Sequence, residues 1–177
     1  MDENVAKHGH PSVACLTHED DAMPVGERHA GWQSAMPVGE RHAGWQSAMR
    51  ATGLADERLA ALTVRAPIDR AGASSAVAAW LVTPDRPSAV VGATDERAFG
   101  LLHRAALVGV RIPEDLAVVA FDGVRESAMT VPELTTVGEP FAQIGERAVQ
   151  LLLDDVPGGP TELFKCRLVR RRSCGCP

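Results

Sequence analysis

Two aspartates, Asp95 and Asp122, each follow a short apolar run, 89–93 in one case and 116–121 in the other. Runs of this length are typical of strands that are buried on both faces of a parallel sheet. Ligands of such sheets bind beyond the carboxyl ends of the strands, where both aspartates are expected. A carboxylate there can accept hydrogen bonds from two hydroxyl groups of a polyol, each contributing about 1.5 to 3 kcal/mol. The alternative is that Asp95 only caps the helix it begins, and that Asp122 only forms a turn.

Other reactive side chains form no catalytic or metal-binding motif that we recognise. Four cysteines are too few for a disulfide framework in 177 residues, and Cys166, Cys174 and Cys176 lack a standard zinc spacing. The histidines of the first quarter show no His-x-x-x-His or His-Glu-x-x-His arrangement. No nucleophile elbow, phosphate loop or dinucleotide fingerprint occurs. We therefore expect no metal, no cofactor and no enzymatic activity.

The segment 89–123 predicts the strand, helix and strand that position the two aspartates. The helix begins at Asp95, carries an apolar stripe of 3.6-residue period and ends at Gly109. Two parallel strands joined in this way form a right-handed crossover. The pattern therefore predicts an α/β fold, a parallel sheet flanked by helices. The other predicted strands are 12–17, 61–66, 134–137 and 161–170, and the other predicted helices are 74–81 and the one that begins at Pro140.

A 13-residue sequence, AMPVGERHAGWQS, occurs twice without change, at 22–34 and at 35–47. Thirteen residues rotate a helix by roughly 220° from its starting face, so both copies cannot face one core from one straight helix. Pro37 would also interrupt such a helix. We expect Gly39 to Ala51 to be the packed helix and the first copy to be a loop or an irregular turn.

Composition and charge fit one globular domain. The hydrophobic content of 45% is ordinary, and the formal net charge of −5 gives no general attraction to phosphate backbones. No apolar run approaches the length of a membrane span, and the N-terminus lacks the apolar core of a signal peptide. These features predict a cytoplasmic protein without a membrane partner.

Three segments, ATDERAFGLL, GVRIPEDLAVVAFDG and PELTTVGEPFAQIGERAVQLLL, follow one another in the order seen in a known family. They resemble the C-terminal half of the sugar-responsive LacI/GalR transcriptional regulators, whose effector-binding part has a type I periplasmic-binding-protein-like fold. The resemblance begins near His8, passes through the Arg-His-Ala-Gly-Trp segment and ends near Arg170. It implies that the helix-turn-helix, the hinge helix and most of the N-terminal subdomain lie outside this chain.

The resemblance also implies a set of ligand-binding residues. Asp95 matches the aspartate of the family that contacts the effector. Arg41, or its duplicate Arg28, matches an arginine whose guanidinium donates to sugar hydroxyls. Asp122 matches the first acid of a Phe-Asp-Asp segment, in which Gly123 here replaces the second acid. The loop 67–71 is at a position of further effector contacts, which makes Asp69 and its neighbour Arg70 weaker candidates.

The resemblance divides the chain as follows: 11–133, C-terminal subdomain; 134–156, crossover strand and helix of the N-terminal subdomain; 161–172, return strand; 173–177, tail.

Two functions are open. The first is the effector-sensing core of a LacI-type regulator, which binds a sugar or a nucleoside, forms a homodimer and depends on a longer parent chain for DNA binding. The second is a structural α/β domain that binds nothing.

Overall fold

The computed structural model describes residues 9–10, 12–17, 35–154 and 161–176, and all structural statements below concern these residues. The strands are β1 (Val13–Thr17), β2 (Thr63–Arg65), β3 (Ala89–Gly92), β4 (Ala117–Asp122), β5 (Thr135–Gly138) and β6 (Arg167–Val169). The helices are α1 (Ala35–Ala51), α2 (Asp56–Ala61), α3 (Arg70–Ala76), α4 (Ala78–Leu81), α5 (Asp95–Val108) and α6 (Phe141–Leu153), with short 3-10 turns at Arg125–Ala128 and Arg172–Cys174.

The strands form one six-stranded sheet in the order β2-β1-β3-β4-β5-β6. The first five strands are parallel, and β6 runs antiparallel to β5 at the edge. Because parallel strands end at the same edge, the loops that follow β2, β3, β4 and β5 leave the sheet on one side. The predicted class, a mostly parallel sheet flanked by helices, is confirmed.

Alternate residues of the strands divide the core into two layers. One layer joins Leu16, Val90 and Val118 to apolar side chains of α3, α4 and α5. The other joins Cys15 and Val91 to apolar side chains of α1 and α2. Successive side chains of a strand point to opposite faces, so a sheet covered on both sides has continuous apolar strands. This explains why the apolar runs in the sequence show no alternation.

The second copy of the repeat supplies the packed helix, as expected. Trp45 is 2% exposed, and its indole nitrogen donates to the carbonyl oxygen of Val13 on β1 at 3.1 Å. The helix nevertheless begins at Ala35 rather than Gly39, with Pro37 in its first turn. A proline is tolerated there because the first backbone N–H groups of a helix have no partner within the helix. The first copy, at 22–34, lies outside the described residues.

The central unit agrees closely with the prediction. Helix α5 spans Asp95–Val108, and Gly109 ends it with a φ of 76° in the left-handed region. The N-cap is Thr94, whose hydroxyl accepts from the backbone N–H of Arg97 at 3.3 Å. The alternative in which Asp95 is the cap is therefore wrong. Further along, the helix predicted at 74–81 is two short helices that begin earlier, at Arg70.

Strand β5 corrects part of the interpretation of residues 134–156. It pairs with β4 on one side and with β6 on the other, so it lies in the same sheet as the strands of residues 11–133. The predicted strand 161–170 is also shorter, since only Arg167–Val169 pairs. Helix α6 leaves the sheet and has no buried residue among those described. Whether α6 belongs to a second subdomain stays a prediction.

None of the described helices combines the length and the apolar character needed to cross a membrane.

Candidate functional site

The guanidinium of Arg41 joins the carboxyl ends of three neighbouring strands. Its Nη1 donates to the carbonyl oxygen of Ala93 at 2.8 Å and to Oδ1 of Asp122 at 2.8 Å. Its Nη2 donates to Oε1 of Glu139 at 2.5 Å. The cation also lies over the ring of Phe121, 5.0 Å from the centroid. Helix α1 holds Arg41 in this position because Trp45, one turn further on, fixes the helix against β1.

The backbone at Asp122 is unusual. Its φ of 115° makes it the one residue other than glycine with a positive φ in the described part of the chain. Such backbone geometry costs of the order of 1 to 3 kcal/mol and is concentrated at functional sites. The residue ends β4, and 24% of its side chain is exposed beside Arg41. The unusual backbone, together with the partial exposure, makes Asp122 a strong candidate for ligand contact.

The ionisation of Asp122 is shifted by its surroundings. Burial raises the pKa of the Asp122 carboxyl above its ordinary value, and the negative charge of Asp95 acts in the same direction. The nearby Arg41 opposes this effect through its charge and its hydrogen bond, but the pKa of Asp122 stays above its ordinary value. The carboxylate is thus held in a partly desolvated position, where a hydrogen bond from a ligand would be stronger than in water.

Gly123 and Gly138 approach closely behind the site. Gly123 has a φ of 75°, and a Cβ atom at this position would lie 2.4 Å from the Cα of Gly138. The loop after β4 therefore has no room for a second acid at 123, the position where the resembled family carries one. A glycine here lets the ends of β4 and β5 come together.

Asp95 is fully buried, and its carboxylate is surrounded by donors from the protein. Oδ2 accepts from the N–H of Gly123 at 2.9 Å, the N–H of Val124 at 3.0 Å and the hydroxyl of Ser127 at 2.6 Å. Oδ1 accepts from the hydroxyl of Thr136 at 2.6 Å. The predicted ligand contact of Asp95 stays a prediction, but this arrangement ties the loops after β3 and β4 to strand β5.

The weaker candidates lie at the junction of α3 and α5. Asp69 is the N-cap of α3, and its carboxylate accepts from the N–H of Gly72 at 2.8 Å. Arg70 pairs with Glu96 at 2.7 Å and lies over the ring of Phe99. The hydrogen bonds described for Asp69 are thus those of a helix cap, and its ligand role stays a prediction. Arg28 lies outside the described residues.

Three residues that contact Arg41 or Asp95 were not predicted from the sequence: Glu139, Ser127 and Thr136. Glu139 follows β5 directly, much as Asp95 closely follows β3 and Asp122 ends β4, so an acid at a strand end was an available signal. Ser127 and Thr136 gave no comparable signal, because hydroxyl residues are common in loops and strands. Among the described residues, no three side chains of the histidine, cysteine, aspartate or glutamate type are grouped as metal ligands.

The site combines a forked donor, two carboxylates and one aromatic ring. Arg41 can donate to hydroxyl or carbonyl oxygens, and Asp122 and Glu139 can accept from hydroxyl groups. This donor and acceptor pattern suits a small polar ligand. It contains no nucleophile paired with a base, which nucleophilic catalysis requires.

A comparison with known proteins decides the family. The model of the periplasmic binding protein-like domain matches residues 3–174. The chain belongs to this domain family. The HTH-type transcriptional repressor CytR of Escherichia coli (strain K12) is 36% identical over 104 residues, which are 56% of this chain and 30% of that protein. The HTH-type transcriptional repressor PurR of Vibrio vulnificus is 28% identical over 149 residues, which are 84% and 40%.

The fold is shared with solved structures of LacI-family regulators. The crystal structure of a sugar-binding transcriptional regulator of this family from Escherichia coli, complexed with phosphate, superposes with a TM-score of 0.73 and 26% identity. That match covers 96% of this chain and 57% of the regulator. The resemblance to LacI/GalR regulators is confirmed, and the chain spans less than half the length of the repressors it matches.

Proposed function

We propose that this periplasmic binding protein-like domain senses a small polyhydroxylated ligand, a sugar or a nucleoside, at the carboxyl edge of its sheet. The observation that carries the proposal is the cluster of Arg41, Asp122 and Glu139, which brings three strand ends to one partly exposed position. In this proposal Arg41 donates to ligand oxygens and Asp122 accepts from ligand hydroxyls. The related regulator described as sugar-binding supports this ligand class.

The balance of charge supports a neutral ligand over an anionic one. One cation faces two carboxylates, so the cluster as a whole is acidic and repels a second negative charge. Sugars and nucleosides offer hydroxyl donors to these carboxylates without adding charge. Phe121, over which Arg41 lies, supplies an apolar surface beside the polar groups. Ligand binding then acts by shifting an equilibrium between two conformations of the domain.

The second candidate is a structural α/β domain that binds nothing. One observation favours it: the described hydrogen bonds of Arg41 all go to protein acceptors, so a ligand must replace some of them. The two candidates differ in what the ion pairs do. In a sensor they exchange with ligand hydroxyls, whereas in a structural domain they only stabilise the fold.

A thermal-shift screen followed by calorimetry separates the two candidates. The probes are D-ribose, D-glucose, D-galactose, adenosine and uridine. For a bound probe, Asp122→Asn should weaken binding by roughly 10- to 150-fold, since a charge-assisted hydrogen bond is worth about 1.5 to 3 kcal/mol. Arg41→Lys should also weaken binding, because lysine lacks the planar fork.

Asp115→Asn is the matched control variant. Asp115 pairs with Arg111 at 2.5 Å, four residues away on the surface, so the control also removes a carboxylate from an arginine pair. Its affinity for the probe should equal that of the wild type. If no probe raises the melting temperature of the wild type, the structural candidate replaces the proposed one.

We further propose that the sensor is a homodimer. Helix α6 exposes an apolar face, including 53% of Phe141 and 82% of Leu152. Burial of such side chains contributes roughly 1.5 to 3 kcal/mol each, so a second copy that covers α6 would be stabilised. Both edges of β5 are paired within the chain, so the proposal rests on α6 alone.

DNA binding is proposed to require residues beyond this chain. The relatives named above are HTH-type repressors, but the net charge of −5 gives this chain no electrostatic pull toward phosphates. A gel shift with fragments of genomic DNA at physiological salt should show no sequence-dependent binding below micromolar protein. A specific sub-micromolar shift would overturn this part of the proposal.

A further inference from the structure

Hydrogen bonds connect Asp95 to Asp122 and to the two residues that follow it. The side chain of Asp95 accepts from the backbone N–H groups of Gly123 and Val124, which follow Asp122 directly. The backbone N–H of Asp95 in turn donates to Oδ2 of Asp122 at 3.4 Å. The Asp95 carboxylate thus fixes the backbone that follows Asp122, and the Asp122 carboxylate accepts from the backbone of Asp95.

The other oxygen of Asp122 is held from the opposite direction. Its Oδ1 accepts from Arg41 at 2.8 Å, while Oδ2 faces the start of α5. The carboxylate therefore lies between a guanidinium and a backbone amide. Its orientation depends on the position of residue 95 and on the loop that Asp95 fastens.

The unusual backbone of Asp122 needs such a restraint. A positive φ at a residue with a side chain persists only where surrounding contacts hold it. The N–H groups of Gly123 and Val124, which follow it, both donate to Asp95, and that of Gly123 also donates to the hydroxyl of Thr136. Asp95 in turn accepts from Ser127 in the next turn and from Thr136 on β5. Among the hydrogen bonds of the described residues, no other carboxylate accepts from the backbone N–H groups of this loop.

We propose that Asp95 is a positioning residue, whose buried carboxylate holds the 122–124 loop so that Asp122 presents its carboxylate beside Arg41 for the ligand. The proposal rests on the sensor function proposed above and replaces direct ligand contact by Asp95. Asp95 has no exposed surface, and its two oxygens are occupied by four protein donors. It acts on the ligand through Asp122.

A double-mutant cycle tests this dependence. Asp95→Asn keeps the size of the side chain but removes its charge and turns one acceptor into a donor. In the wild-type background it should weaken binding of the active probe from the screen by roughly five- to tenfold, within the range of couplings between residues in one network. In the Asp122→Asn background it should change affinity by less than about twofold, because the group it positions is already altered.

Stability measured on the same four proteins distinguishes positioning from a general structural role. Asp95→Asn should lower the melting temperature by a similar amount in both backgrounds. If Asp95 only stabilised the fold, affinity would fall in parallel with stability in both backgrounds. If it contacted the ligand itself, the losses of affinity would add. Either result overturns the proposal.

A ligand-free measurement keeps the proposal testable when no probe binds or when Asp95→Asn does not fold. Ser127→Ala removes one donor from Oδ2 and leaves both backbone donors in place. Amide hydrogen exchange at residue 95 reports on the Asp122 carboxylate, which accepts from that amide. Exchange there should be faster in Ser127→Ala and Asp122→Asn than in the wild type, and unchanged in Asp115→Asn. Unchanged exchange at residue 95 in Ser127→Ala overturns the positioning role. If exchange changes as expected but no probe binds, only the sensor function is overturned.

Discussion

Replacement of Trp45 by alanine should destabilise the domain far more than the same replacement of Trp32. Both tryptophans lie in the identical local sequence AGWQSA, one in each copy of the repeat. Effects on the unfolded chain therefore largely cancel between the two variants. What remains is the tertiary environment, in which Trp45 occupies the position against β1.

The expected magnitude follows from the contacts of Trp45. The side chain is 2% exposed, stacks on His42 at a centroid distance of 5.5 Å and donates to the carbonyl oxygen of Val13. Truncation of a buried tryptophan to alanine costs about 3 to 5 kcal/mol. Loss of the indole hydrogen bond accounts for about 1 kcal/mol of stability, which Trp45→Phe isolates in part. Against a total unfolding free energy of about 5 to 15 kcal/mol, Trp45→Ala is severe.

Urea unfolding followed by circular dichroism measures these differences. Trp45→Ala should lower the midpoint strongly without a change in slope, and Trp32→Ala should cost less than about 0.5 kcal/mol. Deletion of 22–34 should leave a folded protein with an equal or slightly higher melting temperature, because loop closure costs grow with length. A loss from Trp32→Ala as large as that from Trp45→Ala, or a deletion variant that fails to fold, would refute the assignment of the second copy to the core.

Four further predictions concern the site and the assembly. Gly123→Ala should cost more than about 2 kcal/mol in urea unfolding, since a Cβ would lie 2.4 Å from the Cα of Gly138 and the φ is positive; a neutral variant would contradict the close approach. Protonation of Asp122 removes a hydrogen-bond acceptor for the ligand, so ligand affinity should fall as the pH is lowered. Because burial raises the pKa of Asp122 above 3.8, this fall should begin at a higher pH than it would for an ordinary aspartate. In calorimetric titrations, Asp122→Asn should abolish this pH dependence. The same raised pKa makes the contribution of Asp122 to stability decrease as pH rises from 3.8 through the folded value. Light scattering at tens of micromolar should give a dimer that Ile144→Asp dissociates, whereas a monomer unaffected by this change would refute the role of α6.

The sequence was sufficient to predict the central unit because its determinants are local. Apolar runs without alternation predict buried parallel strands, and a 3.6-residue stripe closed by Gly109 predicts α5. Both predictions hold in the structure, as does the α/β class. The order of motifs was enough to indicate the LacI-type relatives, since each motif occupies consecutive residues.

The tertiary structure decided what the acidic residues do. Sequence alone gave Asp95 and Asp122 equivalent positions at strand ends, whereas the fold buries Asp95 among four donors and leaves Asp122 partly exposed beside Arg41. Glu139 lies 98 positions from Arg41 in the chain, so no local pattern predicts their contact. The sequence also could not distinguish the two copies of the repeat fully, because identical residues have identical propensities. Burial and hydrogen-bond partners arise only when the strands are placed side by side, and these two properties separate a carboxylate that holds the loops from one that faces a ligand.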